Sequence, residues 1–399
     1  RLRQLRERVL RIRELLDCLM STHPSASAVR LLSRLVLVGQ ERASIRALIT
    51  SNSSLLAAKV AERSAETGEH YITRDWPQYR SMLRKAAGGG ALTGGTTLLK
   101  FMIMGLGLSA FWGGFWAGAM YAASFVVIQL LHCTLATKQP AMTAPAMAAK
   151  LKDIGTPEAV NAFVDEVAHL MRSQAAAVLG NVLVVFPVVL LLSVGIGLLL
   201  GHPMLSAKDA AYTLHSLSLL GPTLLFAGFT GCLLFASSII AGWVENWFVL
   251  RRLDSAMRYN PSVTGLLGVE RAGRWAHFMR NNISGFASNI SLGFMLGLIP
   301  PIMAFFSLPL EVRHVTLSAG QLAAASVAYG VQTVFMPAFW WAVAAIPLIG
   351  ALNLGVSFYL AYKLALRAHN VSGVQRAHIH QAIWARWRHR PLSFFIPAG

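Results

Sequence analysis

Apolar residues fall into six long runs along the chain, and these runs predict six helices that cross a membrane. A helix needs about 20 apolar residues to span a bilayer. The runs lie at 88–108, 113–133, 176–200, 219–246, 283–306 and 334–362. We therefore predict an all-α integral membrane protein, with six transmembrane helices in a domain at 88–362.

Residues 1–87 follow a different pattern. Apolar side chains recur there at steps of three and four, which is typical of an amphipathic helix: Leu2, Leu5, Val9, Ile12, Leu16 and Leu19. The pattern predicts a cytoplasmic, basic helical region, whose basic face either is solvated or binds nucleic acid or lipid. Because the chain starts at Arg1 inside this pattern, we expect the region to be a fragment of a longer N-terminal part.

Composition supports a bilayer as the solvent. The chain is 55% hydrophobic and 13% charged, whereas an ordinary soluble domain carries about 25% charged residues. The formal net charge is +18. On a soluble protein this surplus would suggest nucleic acid, but on a membrane protein it is typical of cytoplasmic loops and anionic lipid contacts.

The basic residues also predict an orientation. The loops 109–112, 201–218 and 307–333 carry 2 Lys and Arg residues, and the segments 134–175, 247–282 and 363–399 carry 16. The positive-inside rule then places both termini in the cytoplasm. The tail from 363 to 399 is basic and contains two tryptophans, which favours anionic lipid headgroups as partners over DNA.

Two segments of the chain resemble each other. Residues 169–181, "HLMRSQAAAVLGN", align with residues 277–289, "HFMRNNISGFASN", so that Arg172 matches Arg280 and Asn181 matches Asn289. The stretches "LSAKDAA" at 205–211 and "LSAGQLA" at 317–323 are also similar. In the first hairpin, Arg84 and Thr93 take the corresponding places. These similarities predict three tandem hairpin repeats.

The repeated His-x-x-Arg spacing has two interpretations. Tyrosine-type DNA recombinases use it to hold a scissile phosphate, but here it lies where a cytoplasmic helix enters the bilayer. An arginine at that place can extend to lipid phosphates. The next tyrosines, Tyr212 and Tyr329, fall on the opposite side of the predicted membrane. We therefore predict membrane-entry residues and no catalytic residue: Arg84, His169, Arg172, His277 and Arg280.

Polar residues inside the predicted spans are the candidates for binding. Thr93, Asn181 and Asn289 either join helices by hydrogen bonds or line a polar pathway. Lys100 and Glu245 are charged, and helical rise puts them roughly 15 Å apart in depth, so we expect no direct pair. The three cysteines and the histidines of the tail lack ligand spacing, so neither a metal site nor a cofactor is predicted.

Three longer stretches carry a family resemblance: "GEHYITRDWPQYRSMLRKAAGGGALT", "HCTLATKQPAMTAPAMAAKL" and "RHVTLSAGQLAAA". They resemble a bacterial family described as site-specific recombinases, over most of the chain from about residue 68. The resemblance implies a multi-span membrane protein with a longer N-terminal region. The family description implies DNA recombination.

The residues themselves favour a non-enzymatic, polytopic inner-membrane protein that acts in transport or as a membrane scaffold. The alternative is the activity that the resemblance implies, a membrane-associated site-specific recombinase or DNA-handling factor. A homo-oligomer is compatible with both.

Overall fold

A computed structural model describes residues 72–135, 157–369 and 373–397, together with Met147 and short pieces between residues 9 and 36. The chain divides into two units, Arg1–Leu56 and Ala57–Gly399. In the first unit the described residues are helical, and Val9, Ile12, Leu16 and Leu19 of the predicted stripe are exposed. Leu2 and Leu5 lie outside the described residues.

In the described part of the second unit, all regular secondary structure is helical. Six long helices and several shorter ones follow each other in this order: α1 Trp76–Gly105, α2 Ala110–Leu130, α3 Pro157–Leu200, α4 Ala207–Leu217, α5 Thr223–Leu250, α6 Leu253–Tyr259, α7 Pro261–Leu267, α8 Val269–Phe305, α9 Val315–Tyr329, α10 Pro337–His369 and α11 Gly373–His389. Short 3₁₀ helices lie at Gly330–Phe335 and Pro391–Phe394.

Local sequence explains where several helices begin. The Asp75 carboxylate accepts a hydrogen bond from the Gln78 N–H, 2.8 Å away, and a proline follows in the first turn of α1. Ser206 caps α4 by accepting from the Asp209 N–H. Such side chains satisfy N–H groups that have no partner inside their own helix.

Five helices are long and apolar enough to cross a membrane: Ala110–Leu130, Val160–Leu200, Thr223–Leu250, Val269–Phe305 and Pro337–Leu364. They coincide with five of the six predicted spans. The remaining predicted span, 88–108, falls on α1, which is long enough but less apolar, because its glycines and threonines and Lys100 lower its hydropathy. A membrane protein is therefore supported, and the sixth crossing stays a prediction.

Helix pairs build the bundle. The most extensive contacts join α2 to α8, α1 to α3 and α5 to α10. We call the end of the bundle that carries the α1–α2 connection, residues 106–109, the distal end. The proximal end carries Thr134, whose N–H donates to the Lys85 carbonyl near the start of the apolar part of α1.

The α2–α8 contact depends on small residues. A Cβ added at Gly297 would overlap the backbone nitrogen of Gly118, and one at Gly293 would overlap that of Ala122. Glycines four apart on both helices therefore let the two backbones approach closely, as is typical of packed membrane helices. Gly89, Gly90 and Gly94 of α1 meet Thr134 and α3 in the same way, so the stretch "GGGALTGG" packs closely against its neighbours.

The structure differs from the sequence-based prediction at 307–333, which we expected to be an outer loop. Residues 315–329 form α9, and Val315–Gly320 and Leu322–Ser326 are buried. This helix packs against α1, α3, α4 and α10. It was not predicted because its 15 residues are too few to span a bilayer, whereas burial by four neighbouring helices is a property of the tertiary fold.

Candidate functional site: a polar pocket beside a buried short helix

Residues 306–329 enter the bundle and return, and we call them the re-entrant segment. Pro301 of α8 lies against position 114, near the distal start of α2. His314 stacks on Phe125, whose ring centroid is 6.2 Å away and which lies 11 residues further along α2. Because eleven residues of helix rise by about 16 Å, the chain descends deep into the bundle before α9 begins. At the end of α9, the Tyr329 hydroxyl donates to the Ala207 carbonyl, at the start of α4.

Asn353 of α10 holds the turn at the bottom of the re-entrant segment. Its side-chain oxygen accepts from the Val315 N–H at 3.0 Å, which satisfies a helix-start donor of α9. Its side-chain nitrogen donates to the carbonyls of Arg313 and Ala227, each at 2.9 Å. The residue is fully buried. The amide of Asn353 therefore links the turn to α10, and it links α10 to α5.

Two further side chains fix the same turn. The Asn181 side-chain nitrogen donates to the carbonyls of Ala86, at 2.6 Å, and Thr134, at 2.9 Å. Its side-chain oxygen accepts from the Thr316 hydroxyl at 3.2 Å. On the other side, the Thr230 hydroxyl accepts from the Arg313 N–H at 2.7 Å. The turn is thus held by α3, α5 and α10.

Arg313 is a buried cation whose donors are occupied. Its Nη2 lies 2.7 Å from the Glu311 carboxylate and 2.9 Å from the Ser216 carbonyl. Its Nη1 donates to the Val312 carbonyl. The guanidinium also lies over the Phe226 ring, 5.4 Å from its centroid. These partners compensate the buried charge, so removal of one of them would leave it partly uncompensated.

A pocket of about 710 Å³ runs along the descending limb of the re-entrant segment. Its walls come from α1, α2, α8 and α9, and residues 108–110 and 307–309 line it at the distal end. Its polar and titratable lining residues are Lys100, Ser109, Tyr121, Tyr212, Ser307, Glu311, Arg313, His314, Ser318 and Gln321. Its apolar walls include leucine, methionine, proline and alanine side chains, so the pocket combines an apolar surface with a small polar set, as ligand sites commonly do.

The charges around the pocket do not cancel. Among the described residues that line it, Glu311 is the acidic one, and it pairs with Arg313. Lys100 supplies a second positive charge, and its Nζ lies 5.7 Å from the centroid of the Phe101 ring. The Tyr212 hydroxyl donates to Glu311 at 3.2 Å. Desolvation and the Glu311 carboxylate raise the pKa of Tyr212, which keeps it a neutral donor.

The predicted binding residues do not meet in one cavity. Thr93 is buried and donates to the Gly89 carbonyl of its own helix. Asn181 joins α3 to the re-entrant segment. Asn289 donates to Gln129 at 2.5 Å and so joins α8 to α2. Within the described structure, Lys100 lines the pocket, whereas Glu245 is half-buried on α5 away from it.

The two His-x-x-Arg copies have different surroundings. Arg172 is 3% exposed and donates to the carbonyls of Ser393, at 2.8 Å, and Arg74, at 3.4 Å. Its guanidinium therefore lies inside the protein, which differs from the expected lipid contact. His169 lies 3.7 Å from Glu166, which pairs with Arg74.

In the second copy, the Arg280 guanidinium is 37% exposed and lies 3.1 Å from Asp254. His277 is exposed and shares a hydrogen bond with Asn281. Arg84 of α1 is also exposed. Arg84 and Arg280 can therefore reach an interface, and their role as membrane-entry residues stays a prediction.

Tyr79 lies within electrostatic range of Arg172 and is 7% exposed. A nucleophilic tyrosine and a phosphate-binding arginine would both need to reach the DNA backbone. Here the two side chains are buried, and Arg172 already holds two carbonyl oxygens. Arg172 therefore stabilises the packing of residues 72–79 and of the C-terminal residues against α3.

Sequence reasoning missed the residues that shape the pocket, namely Glu311, Arg313, His314 and Asn353. The signal was present in "EVRH" at 311–314, where three titratable residues stand within four positions between two apolar runs. Read as part of a loop, these residues needed no special explanation. Their importance comes from the descent of the loop into the bundle.

Comparison with known families gives one clear result. A family model described as "Site-specific recombinase" matches residues 1–397. No curated protein and no solved structure matches the chain.

Proposed function

The chain belongs to the site-specific recombinase family. We propose that its second unit is a polytopic membrane protein that binds and transports a small solute through the pocket beside α9. The observation that carries this proposal is the re-entrant segment, which lines a pocket of about 710 Å³ with charged residues inside an apolar bundle. Polar groups in such a place usually mark a substrate pathway.

Exposed apolar faces support the bilayer. Leu183, Leu191, Leu198 and Leu199 of α3 are between 66% and 87% exposed. In water, so many exposed leucines on one helix would promote aggregation of the protein. Hydrocarbon is the solvent that fits them.

The distribution of charge supports an orientation. We propose that the distal end faces the periplasm and that both termini lie in the cytoplasm of a bacterium, because the predicted outer loops carry 2 basic residues and the predicted cytoplasmic segments carry 16. Cysteine labelling tests this in a variant that lacks the native cysteines. Lys208→Cys should react with an impermeant reagent from the periplasm and Arg258→Cys from the cytoplasm. Labelling of both from one side would exclude this topology.

A pocket favours transport over scaffolding. A scaffold requires rigid helix contacts but no polar cavity. The hydrogen bonds of Asn353 and Asn181 alone would suffice for a scaffold. Transporters commonly build their sites from interrupted helices that lie deep in the membrane and whose ends point at the solute. The start of α9, deep in the bundle and beside His314, has this form.

Accessibility of α9 tests the pathway. Gln321 lines the pocket, whereas Ala323 of the same helix is fully buried in the core on another face. In the variant without native cysteines, Gln321→Cys should react with an impermeant thiol reagent from the periplasm, and Ala323→Cys, the matched control, should not.

Transport also requires access from the other side, so slower labelling of Gln321→Cys from the cytoplasm should occur. Labelling from the periplasm alone would indicate a binding protein and refute transport. Equal labelling of both cysteines would mean that the helix is not packed as described.

We also propose that the C-terminal residues contact anionic lipid headgroups. Trp384 and Trp387 on α11 are 51% and 39% exposed, and basic residues accompany them. Binding of the full chain to vesicles should then rise with the fraction of anionic lipid and fall with salt. A vesicle affinity that is independent of lipid charge would refute this contact.

The second candidate function is DNA handling, and the family description is the observation that favours it. Its work would fall to the basic residues of the first unit. DNA binding by the full chain in nanodiscs, measured by anisotropy, tests it. Salt-sensitive binding that survives excess anionic lipid would support DNA handling, and binding abolished by the lipid would favour a membrane-surface role.

A further inference from the structure

The geometry points to a monocarboxylate with an apolar body as the solute of the pocket, held by Lys100. This inference rests on the proposed function, because it names the class of solute for the same site. Three features carry it: the charge balance of the pocket, the position of Lys100 and the chemistry of the walls.

The charge balance calls for one negative charge. Glu311 and Arg313 neutralise each other at 2.7 Å, and the donors of Arg313 are directed to Glu311 and to the carbonyls of Val312 and Ser216. Lys100 is the other cation of the lining, and no carboxylate of the described residues lies at ion-pair distance from it. An ammonium in apolar surroundings is stabilised by an anion. A single carboxylate supplies that charge without excess.

Neutral donors in the lining of the pocket suit a carboxylate. Ser318 and Gln321 of α9 and Tyr121 of α2 line the same pocket as Lys100. Hydroxyl and amide donors can bind a carboxylate oxygen that is not engaged by the ammonium.

The walls determine the rest of the solute. Met104, Leu296, Pro300, Ala304 and Leu308 line the pocket beside the polar groups. Burial of apolar area against them stabilises a hydrocarbon or aromatic body by roughly 25 cal/mol per Å². An inorganic anion would leave these walls without a partner. The cavity of about 710 Å³ holds an organic acid of moderate size.

The test compares three probes with the same body and different heads: hexanoate, hexanol and hexylamine. Binding to the full chain in zwitterionic nanodiscs is measured by calorimetry. We expect hexanoate to bind and hexylamine to bind at least tenfold more weakly. Lys100→Met should weaken hexanoate at least tenfold, leave hexanol unchanged, and be rescued largely by Lys100→Arg.

Arg84→Met is the matched control. Arg84 is an exposed basic residue on the same helix and lies outside the pocket lining, so its loss should leave hexanoate affinity unchanged. A preference for hexylamine, or hexanoate binding that Lys100→Met does not alter, would overturn the inference. Equal losses in Lys100→Met and Arg84→Met would do the same, because they would indicate a general effect of charge.

Two sources of carboxylate are separated by chain length. If oleate binds and hexanoate does not, the solute is a fatty acid that enters from the bilayer. If hexanoate binds and oleate does not, it is a water-soluble acid. Failure of this inference is distinguishable from failure of the proposed function: when Gln321→Cys is labelled from both sides but no carboxylate binds, the pathway stands and the solute class is wrong.

Discussion

Replacement of Asn353 by leucine should destabilise the re-entrant segment. The side chain is fully buried and makes three hydrogen bonds, to the Val315 N–H and to the carbonyls of Ala227 and Arg313. A net hydrogen bond contributes about 1 kcal/mol, and those between membrane helices average somewhat less. Loss of all three should therefore cost roughly 2–3 kcal/mol. The orphaned backbone groups add to this cost, because leucine cannot satisfy them.

Two measurements check this expectation. The free energy of unfolding in mild detergent should fall by the stated amount in Asn353→Leu, and amide hydrogen exchange should accelerate first at residues 313–318. Asn161→Ala is the control, because Asn161 is exposed on α3 and its loss should change stability by less than about 0.5 kcal/mol. A loss below about 1 kcal/mol in Asn353→Leu, or exchange that is faster everywhere equally, would refute the role of this amide as an anchor.

Three further expectations follow from the packing. Gly297→Ala should destabilise the protein by a few kcal/mol, since the new methyl meets the Gly118 backbone, whereas Gly195→Ala, with open space around it, should be neutral; equal thermal stability would contradict the close α2–α8 contact. Arg172→Met should speed proteolytic cleavage after residue 373 because it frees Ser393, and Arg280→Met should not; matching cleavage rates would count against the difference between the two sites. The Asn181–Thr316 pair should show a coupling energy of about 0.6 kcal/mol in a double-mutant cycle, and a coupling near zero would exclude the observed bond.

The spans were predictable because their signal is local. A run of apolar residues has the same meaning whatever it packs against, so five of the six predicted runs coincide with helices that could cross a membrane. The small residues of α1 also carried a local signal, since glycine without a Cβ is the residue that a close backbone approach requires. Gly90, against the Asn181 backbone, shows this.

The pocket was not predictable because its charges are ordinary until the fold places them. In the sequence, Glu311 and Arg313 look like ordinary loop residues. Nothing local indicates that they pair with each other deep in the bundle. Lys100 read as an isolated charged residue inside a predicted span. It lies beside the re-entrant segment because α9 packs against the same helix, where Gly320 of α9 contacts Thr97 of α1.

Asn181 and Asn289 show the limit of reasoning from internal similarity. Their equal places in the two similar segments predicted equal roles, and both are buried amides that join helices. Their partners differ, since Asn181 meets the re-entrant segment and Asn289 meets Gln129 of α2. A sequence match fixes the depth of a residue along its helix but leaves open which neighbour it faces.

The same similarity nevertheless contained the best clue to α9. Residues 205–211 and 317–323 read alike, and both fall at or within short helices that pack against each other, α4 and α9. Leu205 and Ala210 are buried in the first, and Leu317 and Ala323 in the second. A solvated loop has no physical need for leucine and alanine at such positions, whereas a helix inside a bundle does, because its neighbours exclude larger or polar side chains. Resemblance between two stretches that are both read as loops is therefore evidence that neither is a loop.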